Sequence, residues 1–148
     1  MTLTEPEPLV IERERLVAVR VVRLGSKRGE NEGLRIGTVR RPPRGVPKAE
    51  FASQNWYDVW FPNLAPSVET MKLGQNAKTP AQWGKFIKRY RAEMATPENS
   101  HAIELLAALS RECNFSVGCY CENEAHCHRS VLRELLADKG ANLEPSVR

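Results

Sequence analysis

Phe115-Ser-Val-Gly-Cys-Tyr-Cys-Glu-Asn-Glu-Ala-His-Cys-His-Arg-Ser-Val-Leu-Arg-Glu-Leu-Leu136 decides the fold class, because it changes its apolar period partway along. Phe115 to Cys121 alternates with period two, the spacing of a β-strand. After an acidic loop, Val131, Leu132, Leu135 and Leu136 fall on one helical face that ends before Gly140. The reading is a strand, a short loop and a helix whose first turn begins near Cys127. Free N–H groups and the positive end of the helix dipole then converge beside His128, Arg129 and Ser130, a geometry suited to an anion. The carboxyl end of a strand is also where ligands sit in open α/β sheets. The same stretch holds three of the four cysteines and two of the three histidines.

Moving outward, Leu16-Val-Ala-Val-Arg-Val-Val-Arg-Leu24 is β-branched enough for a strand, and a second strand is expected near Leu34 to Arg40. Arg41-Pro-Pro-Arg-Gly-Val-Pro-Lys48 has to be a loop, since its three prolines fix φ and remove donors. Asn55 to Phe61 reads as a strand or a short buried segment. Thr79-Pro80 is a helix start, and Trp83, Phe86, Ile87, Tyr90 and Met94 follow at spacings of three and four. Thr96-Pro97 repeats that start before Ile103, Leu105, Leu106 and Leu109. Strands interleaved with helices predict an α/β fold: a single domain over residues 1–148, a small, mostly parallel sheet with helices packed on its faces, three-layer and Rossmann-like. Residues 1–9 and 141–148 are expected to fray.

The 148 residues are 41% hydrophobic, enough for one core and too few to make two domains the natural reading. No apolar run approaches the roughly 20 residues needed to span a bilayer. The acidic opening Met1-Thr-Leu-Thr-Glu-Pro-Glu-Pro8 lacks the apolar core of a signal peptide, so a cytoplasmic location and reduced cysteines are expected. The net charge of +4 is unevenly placed: from Arg13 to Lys48, eleven Lys or Arg face three Glu, a local excess of +8. That half is able to face phosphate, or simply to present outward-pointing arginines to water.

Several segments together are similar to the YeaO-like family of domains of unknown function, numbered 488 among such families. They are Pro43-Arg-Gly-Val-Pro-Lys48, Asn63-Leu-Ala-Pro-Ser67, Trp83-Gly-Lys-Phe-Ile-Lys-Arg-Tyr-Arg91 with Glu93, and Cys127-His-Arg-Ser130 opening the last helix. The resemblance runs from about Ile36 to Leu136 and implies a family without implying an activity. It departs at Val39-Arg-Arg-Pro42, where similar members carry Asp-Arg-Leu-Trp, so the family's acidic residue is missing there.

The first chemical expectation is a pocket for a small anionic ligand bearing phosphate or carboxylate. Arg129 offers a bidentate fork, Ser130 a neutral donor, and Arg40 and Arg44 complete the pocket if their strand lies beside that of Phe115; Cys121 sits at its edge. His128 and Cys127 are the candidate catalytic pair, His128 moving protons and Cys127 activated by the helix dipole. The alternative for Cys127 is a packed thiol in a helix cap. A cysteine phosphatase loop, with arginine six positions after cysteine, is absent, because Cys121 precedes Arg129 by eight.

A second expectation is zinc held by Cys119, Cys121, Cys127 and His128, or His126 in its place. The spacing Cys-x-Cys-x5-Cys-His lacks paired Cys-x-x-Cys knuckles and is not a strong zinc pattern. A third is a nucleic-acid module using the basic half, with Trp56, Tyr57 and Trp60 as stacking surfaces; no motif accompanies it, and such aromatics usually fill cores. Cys113 and His101 carry no motif, Trp83 and Tyr90 are assigned to the core, and Glu122 and Glu124 to a solvated loop.

Overall fold

In the computed structural model, the structure describes residues 17–145. Four strands, β1 (Val19–Arg23), β2 (Leu34–Gly37), β3 (Val59–Trp60) and β4 (Phe115–Cys119), form one sheet in the order β1-β4-β2-β3. Every pairing is parallel. Among the described residues, four helices, α1 (Val68–Asn76), α2 (Pro80–Met94), α3 (Pro97–Leu109) and α4 (His128–Asp138), complete an α/β domain. Among the described residues no helix is long and apolar enough to cross a membrane. The expected tail 1–9 lies outside the described residues.

Register explains which side of the sheet is apolar. Val19 pairs with Phe115, Val21 with Val117, and Ile36 with Val117, so all five point to one side. They join Phe86, Tyr90 and Met94 of α2, Ile103 and Leu106 of α3, and Val131, Leu132 and Leu136 of α4 in one core. The opposite side carries Ser116 and, paired with it, Arg35. Turn segments cover that side: carbonyls of Ser26 and Asn55 both accept from Arg35 Nη1, at 2.9 and 2.8 Å. Helix layer, sheet and loop layer make the three layers.

Arg35 departs from the expectation that arginines of the basic half point to water. Its side chain is fully buried, with Nε 2.8 Å from Glu32 Oε2 and Nη2 3.1 Å from Oε1. Nearby Glu32 supplies the countercharge that makes an inward arginine tolerable.

α2 begins as expected: Thr79 Oγ1 accepts from the Gln82 N–H and the Gln82 side chain accepts from Thr79, a capping box ahead of Pro80. Thr96 starts α3 differently, since its hydroxyl donates to the Glu93 carbonyl and leaves the helix without a side-chain cap. The segment 141–145, expected to fray, instead runs along the edge of β1. Val19 N–H donates to Asn142 O and Glu144 N–H to Val19 O, both at 2.9 Å.

Sequence periodicity did not indicate α1. Its N-terminus is held by a residue from another helix: Glu93 of α2 accepts from the Ser67 N–H at 2.9 Å and from the hydroxyls of Ser67 and Thr70 at 2.6 Å each. Burial alone would raise the Glu93 pKa, but these bonds outweigh it and hold the carboxyl below its ordinary value. Glu93→Ala removes all three bonds, one set charge-assisted, and should cost about 2–3 kcal/mol. Urea unfolding checks this; a loss under about 0.5 kcal/mol would make the cap dispensable.

Candidate functional site

Loops leaving the adjacent strands β2 and β4 diverge at their carboxyl ends, and a cleft of about 610 Å³ opens there. Cys119 is the last residue of β4 and buried; Cys121 is two positions on and exposed; Cys127 is the buried N-cap of α4. All three line the cleft, and their sulfurs lie within 4.8 Å of one another. The Cys119 and Cys127 sulfurs are 2.6 Å apart, and the Cys121 N–H points at the Cys119 sulfur from 3.4 Å.

The three thiols do not share one acidity. Hydrogen bonds from Cys119 and Cys127 pull the Cys121 thiol down against its desolvation, with His128 and Arg129 adding a favourable field. Cys119 is pushed up by hydrogen bonding to Cys121 and Cys127 and by burial. For Cys127 a hydrogen bond from Cys119 works downward, but Cys121 and burial prevail and push it up to about 11. At Cys127, the neighbouring Cys121 and burial thus oppose the downward pull expected of the helix dipole. Of the trio, Cys121 is the one that is exposed and whose pKa is displaced downward.

His128 is buried against the edge of Tyr90, with ring centroids 5.4 Å apart. Its Nε2 lies 2.8 Å from the Thr38 carbonyl, which only accepts, so Nε2 carries the proton. Nδ1 then presents a lone pair 3.7 Å from the Cys127 sulfur. Burial lowers the imidazole pKa to about 4, so the ring is neutral at pH 7 rather than poised to exchange a proton there.

Arg129 and Ser130 are placed otherwise than expected. Arg129 is buried, its Nη2 donating to Cys121 O at 2.7 Å and its Nε without a partner; Ser130 Oγ donates to Cys127 O at 3.0 Å. Neither lines the cleft. Arg129 therefore acts from beneath, fixing the Cys121 carbonyl and setting a positive charge behind the sulfurs.

The cations on the cleft wall come from the loop after β2 and from α1. Arg40 lines it while donating to the Pro66 and Ala65 carbonyls, both at 3.1 Å. Arg41, Arg44 and Lys72 also line it, and among the described residues none takes a carboxylate partner. Lys72 escaped the sequence reading with its helix, whereas Arg41 was visible in the same basic run as Arg40. Trp83, assigned to the core, is half-buried: it stacks on Phe86 at 4.5 Å, and the cleft reaches it. Tyr90 is fully buried as expected, Cys113 and His101 are exposed, Tyr57 is buried, and Trp60 is 44% exposed.

Three thiols this close suit a thiophilic cation. For tetrahedral zinc at about 2.3 Å, however, two sulfurs stand roughly 3.8 Å apart. The 2.6 Å separation of Cys119 and Cys127 must widen to admit it. Among the described residues, the close group comprises the three cysteines, without His128.

An all-parallel α/β domain with a cysteine cluster at the carboxyl end of a central strand is thus the class that fold and site define. The chain belongs to the DUF488 family: the profile described as the active DUF488-N3 subclade matches residues 19–140, from β1 to just past α4. No curated protein and no solved structure matched it.

Proposed function

We propose that the protein binds a small anionic ligand, bearing phosphate or carboxylate, in the cleft above the three cysteines and presents the Cys121 thiolate to it. The observation that carries this reading is a single cleft with Arg41, Arg44 and Lys72 on its wall and exposed Cys121 at its edge. Guanidinium groups that take no carboxylate partner among the described residues supply charge-assisted hydrogen bonds to an oxyanion. Inorganic phosphate titrated calorimetrically at low ionic strength should give saturable binding. Arg44→Ala should weaken it about tenfold or more, as expected for one charge-assisted hydrogen bond. Absence of saturable binding, or an Arg44→Ala affinity equal to that of the parent protein, would sink the reading.

Zinc is the second reading, favoured by the three sulfurs within 4.8 Å of one another. Elemental analysis of protein purified under reducing conditions, with thiols counted before and after chelator, separates the two. One equivalent of zinc with three thiols freed by chelation favours the metal. Metal-free protein with an accessible Cys121 favours the anion site.

A further inference from the structure

Beside the thiol-lined cleft lies a second recess of about 710 Å³, and the two share Arg41, Arg44 and Tyr120 as a common wall. The second recess adds Arg23, Gly25 and Trp56. Trp56 and Tyr120 pack edge to face with ring centroids 5.9 Å apart. Both rings are held in place. Gly25, at φ +92°, lies so close to the indole that a Cβ there would stand 2.9 Å from it. The Tyr120 hydroxyl donates to Arg41 O at 2.8 Å. Rigid aromatic surface of this kind receives a planar ring at little cost in ordering. The loop between the recesses is stiffened by Pro42, Pro43 and Pro47, so Arg41 and Arg44 are presented from a fixed backbone. Arg23 Nε donates to Tyr120 O at 3.4 Å, and among the described residues its carboxylate partner is exposed Glu122, at 3.8 Å. Tyr120 stands between Cys119 and Cys121 in the chain, which puts the aromatic recess one residue from the thiols.

Flat aromatic surface on one side and paired guanidiniums beyond it, on the wall shared with the thiol-lined cleft, match a molecule with a planar heterocycle at one end and a phosphate at the other. We infer that the ligand is a mononucleotide, its base in the recess of Trp56 and Tyr120 and its phosphate between Arg41 and Arg44, at the mouth of the cysteine cleft. This rests on the anion-binding reading and assigns the class of ligand.

The test compares AMP, ribose 5-phosphate and inorganic phosphate by calorimetry on the full chain. AMP should bind about ten- to a hundredfold tighter than ribose 5-phosphate, the increment expected of one stacked base. Trp56→Ala should erase that advantage and leave inorganic phosphate binding unchanged, while Trp56→Phe should keep most of it. If Trp56→Ala does not fold, Trp56→Leu fills the space without a π-face and gives the same readout. Equal affinity for AMP and ribose 5-phosphate overturns the nucleotide inference and leaves the anion site standing; no binding of any of the three overturns both. An advantage that survives loss of the Trp56 ring overturns the assigned recess. Affinity for single-stranded oligonucleotides that grows with length, without AMP binding, overturns the mononucleotide in favour of a polynucleotide track.

Discussion

Glu32→Ala is expected to destabilise the protein by about 3–5 kcal/mol, the cost of leaving a buried charge without its partner. That is a large part of the roughly 5–15 kcal/mol available to an ordinary domain. Glu32 accepts from Arg35 Nε and Nη2, from the Ser116 hydroxyl at 2.6 Å and from the Gly29 N–H at 2.9 Å. Burial alone would raise its pKa, but these bonds and the Arg35 charge hold it down to about 2, from an ordinary 4.5. A carboxyl with a depressed folded-state pKa stabilises fully above its unfolded value. That stabilisation is then lost as pH falls through the folded one. Stability should therefore decline between about pH 4.5 and 2, and Glu32→Gln should flatten that decline while costing less than Glu32→Ala. Replacing both partners, Glu32→Met with Arg35→Met, should hurt less than Glu32→Ala alone, because no charge is then stranded. Urea unfolding of the four proteins from pH 7 to pH 3 reads all of this. A loss below about 1 kcal/mol in Glu32→Ala would mean that water reaches the Arg35 guanidinium.

The same pair shows where sequence reading stops. Period two correctly sets Val19, Val21, Phe115 and Val117 on one side, and the same rule sets Arg35 on the other. Whether that other side meets water depends on the turns that fold over it, and no local pattern records that. α1 was missed for a related reason: the carboxylate that caps it, Glu93, is more than twenty residues away in another helix. α2 and α4 were legible because their signals are local, a Thr-Pro start in one and a clean apolar face in the other. At the site, the grouping of Cys119, Cys121 and Cys127 was legible, and so was the placement of Arg40 and Arg44 on the cleft wall, since β2 does lie beside β4. Their roles were not, because these turn on burial. Cys127 and His128 are enclosed and lose charge, Arg129 is enclosed and keeps it, and Cys121 alone reaches solvent. A helix dipole sensed from sequence is a modest bias, and desolvation outweighs it here.

Cys121 should therefore alkylate at a rate almost independent of pH between about 5 and 8. Only the thiolate attacks, so an ordinary thiol of pKa near 8.5 slows about tenfold per pH unit below that value, several hundredfold over this range. The pKa of Cys121 is displaced downward by hydrogen bonds from two neighbouring thiols, so its thiolate persists where an ordinary thiol is protonated. The flat profile is a better signature than the absolute rate, because thiolate nucleophilicity falls as pKa falls and the two effects partly cancel at neutral pH. Iodoacetamide kinetics followed by mass spectrometry should be run on Cys113→Ser, which removes the other exposed cysteine. Cys121→Ser in that background should abolish the flat component and leave only the slow reaction of Cys119 and Cys127, both buried with raised pKa values. A flat profile that survives Cys121→Ser, with the iodoacetamide label found on Cys127, would move the thiolate to Cys127 and restore the helix dipole as its source. Protection of all three cysteines until chelator is added would instead make them metal ligands. Of the three outcomes, only a flat profile that disappears with Cys121 leaves a charged sulfur facing the arginines across the cleft. A bound phosphate must then sit on the arginine side, because the thiolate repels it.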